Sequence, residues 1–416
     1  MHNSRFWWVL VVLMLLLDIY FFQAIRTVSS QAGDTSRIII FSVYWVVSIF
    51  ALAFLVLQPY FHFERQAKII RTTIFSVFAG LVFAKMAGSL FFLADDLRRS
   101  IHWLGAELFS TEETVSNLQS AGTLSRSMLL SWMGLVAGGG MFGSLLYGFN
   151  NKYRYEVKRV RLSFDNLPNA FKGLKIVHIS DIHSGSLTNR EAVIKGVERI
   201  LEEKPDLILF TGDLVNNVAG EMDNYMGVFD KLKAPLGVYS ILGNHDYGDY
   251  VRWGSGGEKE ANLERLKQVH AELGWRLLMN EHVVLERENE SIALLGIENW
   301  SAKNRFPKYG NLKSAHSGTS QHPFKILMSH DPSHWKAEVL SNYQDIDLML
   351  AGHTHGMQFG VEIPGLKWSP VQYVYKEWAG LYERGNQKLY INRGFGFLGY
   401  PGRVGIMPEI TVIELS

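Results

Sequence analysis

The stretch "GVYSILGNHD", Gly237–Asp246, joins a short apolar run to three polar residues, Asn244, His245 and Asp246. A turn would account for Gly243 and Asn244, because both residue types tolerate left-handed backbone. It would not account for the histidine and aspartate that follow. The valine, tyrosine and isoleucine before the glycine are typical of a strand. The stretch therefore predicts a strand that ends in side chains able to bind a metal.

The same pattern follows four other apolar runs. "LKIVHIS" leads to Asp181 and His183, "DLILF" to Asp213, "FKILMS" to His330, and "DIDLMLA" to His353 and His355. Between these runs, helices are predicted over Arg190–Glu203 and Glu260–Leu273. Apolar strands that alternate with helices indicate sheets covered by helices. Residues 151–416 are therefore predicted to form one large α/β domain.

Seven of these side chains are candidate metal ligands: two carboxylates, four imidazoles and one amide. They are Asp181, His183, Asp213, Asn244, His330, His353 and His355. Asp181 and His183 are two residues apart, so on extended backbone both side chains point to the same side. The set is large enough for two cations, and its nitrogen and oxygen atoms suit Mn²⁺, Fe or Zn²⁺. Two cations about 3.5–4 Å apart can hold a hydroxide between them and polarise a phosphoryl group.

The five motifs, in their order along the chain, resemble the calcineurin-like metallophosphoesterase superfamily. They read "SDIH", "TGDLV", "LGNHD", "MSHDP" and "LAGHTHG", and the resemblance covers roughly Leu162–Ser416. The tail "LYINRGFGFLGYPGRVGIMPEITVIEL" is similar to the membrane-associated branch, the YkuE-like and transmembrane metallophosphoesterases. The resemblance implies a two-sheet α/β sandwich flanked by helices, with the site above the strand ends.

The resemblance also implies a role for each ligand. The first metal would be held by Asp181, His183, Asp213 and His355. The second would be held by Asp213 as the bridge, with Asn244, His330 and His353. His245 matches the catalytic histidine, which protonates the leaving oxygen or stabilises charge in the transition state.

Two further residues are expected behind these groups, Asp246 and Asn216. At the position of Asn216, many family members have an aspartate that orients the catalytic histidine, but this chain has an asparagine. The Asn216 side chain is expected to accept a hydrogen bond from His245 without adding charge that would stabilise the imidazolium.

The first 150 residues differ sharply in composition and are predicted to form a membrane domain. Four apolar stretches are long enough to cross a bilayer, which needs about 20 residues. They are Phe6–Phe22, Ile38–Leu57, Thr73–Ala94 and Leu129–Tyr147. The fold class predicted is therefore four transmembrane helices followed by an α/β sandwich of metallophosphoesterase type.

Two ionisable residues, Asp18 and Lys85, lie within these stretches. We expect each of them to reach toward a membrane interface separately, which avoids the cost of a buried charge. The alternative is an ion pair between them inside the helix bundle.

The distribution of charge bears on location and partners. Lys and Arg are more frequent beside Arg5, Arg65 and Lys152 than on the other flank of the four stretches, so both termini and the C-terminal domain are expected to be cytoplasmic. The whole chain has 41 Lys+Arg and 40 Asp+Glu. This balance argues against a basic nucleic-acid-binding surface.

Together these features predict an enzyme, a membrane-anchored hydrolase of phosphodiester or pyrophosphate bonds that works by attack of a metal-bridged hydroxide. Its substrate is a phosphoester, which a lipid could carry. The alternatives are a soluble nucleotide-type substrate and a catalytically silent membrane sensor. Two segments bear on the substrate without deciding it. Ser301–His322 either grips phosphate through its basic residues or is solvated surface, and "LKWSPVQYVYKEWAGLY" either packs in the core or meets the membrane.

Overall fold

The computed structural model of the protein describes residues 4–57, 65–109 and 126–416. They divide between two compact units, Met1–Tyr147 and Gly148–Ser416. In the first unit the described residues form four long helices. These are α1 (Ser4–Val28), α2 (Asp34–Leu57), α3 (Arg65–Phe109) and α4 (Arg126–Gly148). Each contains a stretch long and apolar enough to span a bilayer, which confirms the four predicted spans.

Helix α3 is much longer than the apolar stretch that predicted it. It has 45 residues and continues past Ala94 into a charged segment. In that segment Asp95 forms ion pairs with Arg98 at 2.8 Å and with Arg99 at 3.4 Å, three and four residues later. Such pairs stabilise a helix outside an apolar environment, and a hydropathy pattern alone does not reveal them.

The expectation that Asp18 and Lys85 reach the interface separately is wrong. Both are buried, with 3% and 5% of their surface exposed, and the Lys85 amine forms an ion pair with the Asp18 carboxylate. The amine also donates to Ser48 Oγ at 2.8 Å, and Ser48 Oγ donates to Asp18 Oδ1 at 3.1 Å. The alternative of an internal pair is confirmed, and the network connects α1, α2 and α3.

We expect Lys85→Met to destabilise the protein by about 3–5 kcal/mol, because it leaves the buried Asp18 carboxylate without its cation. The double variant Asp18→Leu with Lys85→Met removes both charges and should recover most of the loss. The measurement is the unfolding temperature of each variant in detergent. A Lys85→Met protein as stable as wild type would contradict this role.

The second unit contains fourteen strands among its residues. They are β1 (Glu156–Leu162), β2 (Lys175–Ile179), β3 (Leu207–Phe210), β4 (Val238–Ser240), β5 (Arg276–Leu277), β6 (Glu281–Arg287), β7 (Glu290–Gly296), β8 (Lys325–Met328), β9 (Leu348–Ala351), β10 (Val361–Ile363), β11 (Leu366–Trp368), β12 (Gly380–Arg384), β13 (Gln387–Ile391) and β14 (Glu409–Leu415). They form two six-stranded sheets, ordered β1-β14-β2-β3-β4-β5 and β12-β13-β9-β8-β7-β6, and a β10-β11 hairpin.

The two large sheets pack face to face, and most of their strands are parallel. Strands β2 to β5 are parallel neighbours in one sheet, and β7, β8, β9 and β13 in the other. Between the sheets lies an apolar core that includes Ile176, Leu209, Leu294, Ile326 and Leu350. Each fully buried side chain of this size contributes about 1.5–3 kcal/mol. This core fixes the position of one sheet on the other.

Helices cover the outer faces of both sheets. They are α5 (Arg190–Glu202), α6 (Met226–Phe229), α7 (Gly256–Glu272), α8 (Leu312–His316) and α9 (Leu340–Asn342). Helices α5 and α7 agree with the predicted ones, although α7 begins four residues earlier at Gly256. Apolar residues of α5 and α7, among them Val197 and Val269, pack on the first sheet. The predicted fold class, four membrane-spanning helices and a two-sheet α/β sandwich, is confirmed.

Candidate metal centre

The seven candidate ligands all lie in loops that follow parallel strands. Asp181 and His183 come after β2, Asp213 after β3, and Asn244 after β4. In the other sheet, His330 follows β8, and His353 and His355 follow β9. The carboxyl ends of parallel strands meet at one edge of each sheet, and the two edges face each other across the sandwich. The fold therefore brings all five loops to one place.

The backbone at these ligands is not extended, contrary to the geometry expected from the sequence. Five of the seven have left-handed φ values. They are Asp181 (53°), His183 (47°), Asp213 (60°), His353 (72°) and His355 (49°). Left-handed backbone costs a non-glycine residue roughly 1–2 kcal/mol, so tight turns, and not extended backbone, aim these side chains inward.

One cluster consists of Asp181, His183 and His355, whose potential ligand atoms lie within 4.8 Å of one another. Asp181 Oδ1 is 3.2 Å from His355 Nε2 and 3.9 Å from His183 Nε2. All three side chains are buried. His183 Nε2 and His355 Nε2 have no hydrogen-bond partner among the described residues. Two unpartnered nitrogens that face a carboxylate are consistent with a cation site.

A second cluster consists of Asp213, His330 and His353. Asp213 Oδ2 is 3.2 Å from His330 Nε2, and it is also 3.5 Å from His183 Nε2 of the first cluster. His353 Nδ1 lies 3.3 Å from His330 Nε2. A single oxygen of Asp213 thus faces both clusters, as the predicted bridging role requires.

Asn244 adds an amide oxygen to this group. Its Oδ1 is buried and has no hydrogen-bond partner among the described residues, while its Nδ2 donates to Tyr250 Oη at 2.9 Å. The next residue, His245, donates its backbone N–H to Asp213 Oδ1 at 2.8 Å. A buried acceptor without a donor is costly, and a cation would satisfy it. The side chains present fit divalent cations.

Two glycines allow the ligand loops to approach one another closely. A Cβ at Gly243 would lie 2.2 Å from Asp213 Oδ1, and a Cβ at Gly352 would lie 2.2 Å from Asp181 Oδ2. No side chain fits at such distances. The glycine in each of the "LGNHD" and "LAGHTHG" motifs is therefore required by the packing of the carboxylates.

The imidazoles of the second cluster are oriented from behind. His330 Nδ1 donates to the Thr211 carbonyl at 2.7 Å, which leaves its Nε2 toward Asp213. His353 Nε2 is 2.9 Å from Tyr375 Oη, and Tyr375 donates to Asp331 Oδ2 at 3.0 Å. The tyrosine oxygen therefore accepts from His353, whose Nδ1 faces the cluster. Such outer partners fix ring orientation at metal sites.

In the first cluster, the ring of His355 has an arginine behind it. The buried Arg403 points its Nη2 at His355 Nδ1 at 3.3 Å and donates to the carbonyls of Arg393 and Gly394 at 2.8 and 3.1 Å. Sequence reasoning missed Arg403, Tyr375 and Asp331. Asp331 directly follows a ligand, which is a usable signal, but the other two lie far away in the sequence and no motif marks them.

His245 lies beside both clusters. Its ring centroid is 5.0 Å from that of His183, and its Nδ1 is 2.8 Å from the backbone carbonyl of Asn216. The Asn216 side chain instead donates to Ser186 Oγ at 2.8 Å. The expectation that this side chain accepts a hydrogen bond from His245 is therefore wrong, because a main-chain oxygen takes that position.

Asp246 holds the loops together. Its carboxylate accepts the backbone N–H groups of Asp213 and Gly243 at 2.8 Å, and those of Leu214 and Val215 at 2.9 and 3.2 Å. The side chain is fully buried. Asp246 therefore fixes the loop after β3 against the loop after β4, directly behind Asp213.

Burial and neighbouring carboxylates shift the pKa values of the histidines in the site. Burial lowers the pKa of His183 to about 3, so its ring is neutral at pH 7 with a free lone pair. Burial also disfavours charge on His330, but Asp213, Asp181 and the Thr211 carbonyl together outweigh burial and raise the pKa of His330 to about 10. A proton on His330 thus neutralises the carboxylate, and a divalent cation bound there would displace that proton.

Two other histidines, one in β2 and one after β8, face away from the clusters. His178 contacts Thr211 Oγ1 at 2.9 Å through Nε2, and it is fully buried in β2. His334 lies 3.0 Å from Ser329 Oγ and 3.1 Å from Glu338 Oε2. Both rings serve packing and local hydrogen bonding.

Comparison with known proteins gives matches over both units. A family described as the probable transmembrane domain of calcineurin-like phosphoesterases matches residues 4–152, and one described as calcineurin-like phosphoesterase matches residues 174–357. The uncharacterized metallophosphoesterase YkuE of Bacillus subtilis is 30% identical over 303 residues, which are 70% of this chain and 97% of that protein.

Two further relatives cover less of the chain. The transmembrane protein with metallophosphoesterase domain of Danio rerio is 30% identical over 63% of this chain and 57% of its own length. Phosphodiesterase YaeI of Escherichia coli is 30% identical over 63% of this chain and 88% of its own length. These matches confirm the resemblance predicted from the sequence motifs.

Proposed function

Since this chain belongs to the calcineurin-like metallophosphoesterase family and carries the family's transmembrane domain, we propose that it is a membrane-anchored hydrolase of phosphodiester or pyrophosphate bonds. It works with two divalent cations, Mn²⁺, Fe or Zn²⁺, as the nitrogen and oxygen donors favour. The observation that carries the proposal is the position of Asp213 Oδ2, which is 3.5 Å from His183 Nε2 and 3.2 Å from His330 Nε2.

In this proposal the two clusters divide the ligands as the motifs suggest. Asp181, His183 and His355 would hold one cation, and Asn244, His330 and His353 would hold the other, with Asp213 as a ligand of both. Bound divalent cations supply a nucleophilic water at neutral pH and polarise the phosphoryl group.

His245 acts on the leaving group. A carbonyl oxygen only accepts hydrogen bonds, so Nδ1 of His245, 2.8 Å from the Asn216 carbonyl, carries a proton. Because Nδ1 is bonded to this carbonyl, Nε2 is the ring nitrogen left for the leaving oxygen, and in the imidazolium form it donates its N–H to that oxygen. The ring also packs against the Tyr250 ring, with centroids 4.5 Å apart and ring planes tilted by 38°, and this contact restrains its orientation.

The basic segment Ser301–His322 contributes one substrate-binding residue, Arg305. The Arg305 guanidinium is exposed and lies 4.8 Å from the Phe306 ring, which itself lies 4.8 Å from the His353 ring. Burial raises the pKa of Tyr250 and of Tyr375, and the charge of Arg305 opposes that rise at both hydroxyls. Arg305 is therefore near residues on both sides of the second cluster.

The neighbouring lysines are engaged elsewhere. Lys303 donates to the Val374 carbonyl at 3.1 Å, and Lys308 lies over the Trp300 ring at 4.9 Å. Arg305 is accordingly the residue of this segment that we assign to the phosphate oxygens of the substrate.

We expect Arg305→Ala to raise KM about tenfold, the loss of roughly one charge-assisted hydrogen bond, and to leave the metal content unchanged. Lys308→Ala serves as the matched control in the same segment and should keep the KM of wild type. Steady-state kinetics with bis-p-nitrophenyl phosphate, together with elemental analysis, tests both variants. Equal KM values for wild type and Arg305→Ala would contradict the assignment.

The test of the proposed function is hydrolysis by the purified full chain loaded with Mn²⁺, Fe²⁺ or Zn²⁺. Bis-p-nitrophenyl phosphate, soluble nucleotides and vesicle-borne phosphodiesters are compared. Activity restricted to nucleotides would favour the alternative of a soluble substrate. Metal-loaded protein that hydrolyses none of these compounds would favour a silent membrane sensor. The proposed cytoplasmic position of the domain is tested separately, by protease accessibility in oriented vesicles.

A further inference from the structure

The β10–β11 hairpin and the turn that follows it present an unusual surface. Its exposed apolar residues are Val361, Ile363, Leu366, Tyr373 and Val374, which we call the hairpin surface. Ile363 is 57% exposed, Leu366 51% and Tyr373 73%. Apolar residues clustered in this way on a protein surface mark an interaction site.

The hairpin also lacks neighbours in a larger sheet. Strands β10 and β11 pair antiparallel with each other, and together they form a separate two-stranded sheet. An isolated two-stranded hairpin is marginally stable in water and requires packing on one face. Residues that follow the hairpin, among them Val371 and Trp378, are buried with Ile406 in a small apolar cluster. Its outer face bears the exposed residues.

The hairpin lies close to the point where the chain enters this unit. Arg403 donates its backbone N–H to the Gly148 carbonyl at 2.9 Å, and its own carbonyl accepts from Asn151 Nδ2 at 3.1 Å. On the other side of the same loop, Gly360 donates to the Val404 carbonyl at 2.8 Å. Gly360 immediately precedes β10. Residues 148–151 and the start of the hairpin are therefore held by one loop, residues 403–404.

Residues 148–151 also end the last candidate membrane span, Ser127–Asn151. The end of a membrane span lies at the bilayer surface, and residues 148–151 are bonded to the loop that also holds the start of the hairpin. We propose that the hairpin surface inserts into the interfacial region of the lipid bilayer. Tyrosine is favoured at this depth. The exposed Lys376, next to the turn, suits anionic headgroups.

This contact has a consequence for catalysis that rests on the proposed function. The segment after the hairpin contains Tyr375, which touches the candidate ligand His353 at 2.9 Å, and Trp378, whose carbonyl accepts from Thr354 Oγ1 at 2.6 Å. The candidate metal centre thus adjoins the hairpin surface. A phosphoester carried by a lipid could reach the centre while its chains stay in the bilayer.

The contact with lipid can be tested without activity, because the chain has no cysteine. Ile363→Cys and Leu366→Cys are spin-labelled in the full chain in nanodiscs of phosphatidylcholine with phosphatidylglycerol. Glu286→Cys, exposed on β6, is the control. We expect labels at 363 and 366 to collide more with oxygen than with a water-soluble nickel complex, and the label at 286 to show the reverse.

Two outcomes would overturn the proposal. One is the aqueous signature at all three positions. The other is dipolar broadening between labels at 363 without preference for oxygen, which would assign the hairpin surface to contact between two copies of the chain.

A second measurement links the surface to catalysis. We expect the double variant Ile363→Asp with Leu366→Asp to lose about tenfold or more of its hydrolysis of a vesicle-borne phosphodiester, since apolar area drives interfacial binding. Its hydrolysis of soluble bis-p-nitrophenyl phosphate should stay unchanged. Equal losses on both substrates would contradict the role in substrate access. If wild type hydrolyses neither, the proposed function fails, while the spin-label result still decides the membrane contact.

Discussion

Asp213→Ala is expected to lower the hydrolysis of bis-p-nitrophenyl phosphate by about 10³-fold or more. Bound cations supply several kcal/mol of charge stabilisation in the transition state, and each 1.36 kcal/mol corresponds to a factor of ten in rate. The carboxylate faces His183 at 3.5 Å and His330 at 3.2 Å, so its removal weakens both cation sites at once. Metal content, measured by elemental mass spectrometry, should fall by roughly half or more.

Asp230→Ala is the control, because Asp230 is exposed and follows a short helix away from the clusters. It should keep the activity and metal content of wild type. An Asp213→Ala protein that is folded, fully metal-loaded and active would contradict the bridging role of Asp213 and the mechanism that depends on it.

His245→Gln is expected to separate catalysis from metal binding. The variant should lose about 10²–10⁴-fold in kcat, the usual contribution of a general acid, but retain its metal, because His245 is not among the clustered ligands. The fall in rate toward alkaline pH that reports deprotonation of a general acid should disappear with the imidazole. These results come from steady-state kinetics across pH and from elemental analysis.

His334→Gln is the matched control, since that ring bonds with Ser329 and Glu338 outside the clusters. It should leave kcat and metal content unchanged. If His245→Gln lost metal as well as activity, the ring would be required for metal binding, and this result would contradict its assignment as the general acid. Asn216→Asp should alter the profile little, because the main-chain carbonyl of residue 216 orients His245.

The fold could be predicted because its signals are local. Apolar runs such as Leu207–Phe210 are short, rich in branched residues and followed by a polar loop, which is typical of buried parallel strands. Because parallel strands end at a common edge, the order of the motifs also predicts which side chains meet. The four spans were equally predictable, since a bilayer demands length and hydropathy and little else.

What the sequence did not reveal depends on contacts between distant residues. The pairing of Asp18 with Lys85 joins two helices 67 positions apart, and separate exposure fits the same sequence. Arg403 behind His355 and Tyr375 behind His353 follow from how the late loops fold back over the centre. The contact of His245 with a carbonyl was also missed, because main-chain atoms leave no trace in residue identity.

The five ligands with left-handed backbone store conformational strain in the apoprotein. At roughly 1–2 kcal/mol each, they hold on the order of 5 kcal/mol or more of conformational energy, comparable to the net stability of an entire domain. Glycine at one of these positions would relieve the strain of its turn and raise the unfolding temperature of the apoprotein, but it would also remove a metal ligand. At these five positions, thermal stability therefore favours glycine, whereas metal binding requires aspartate or histidine.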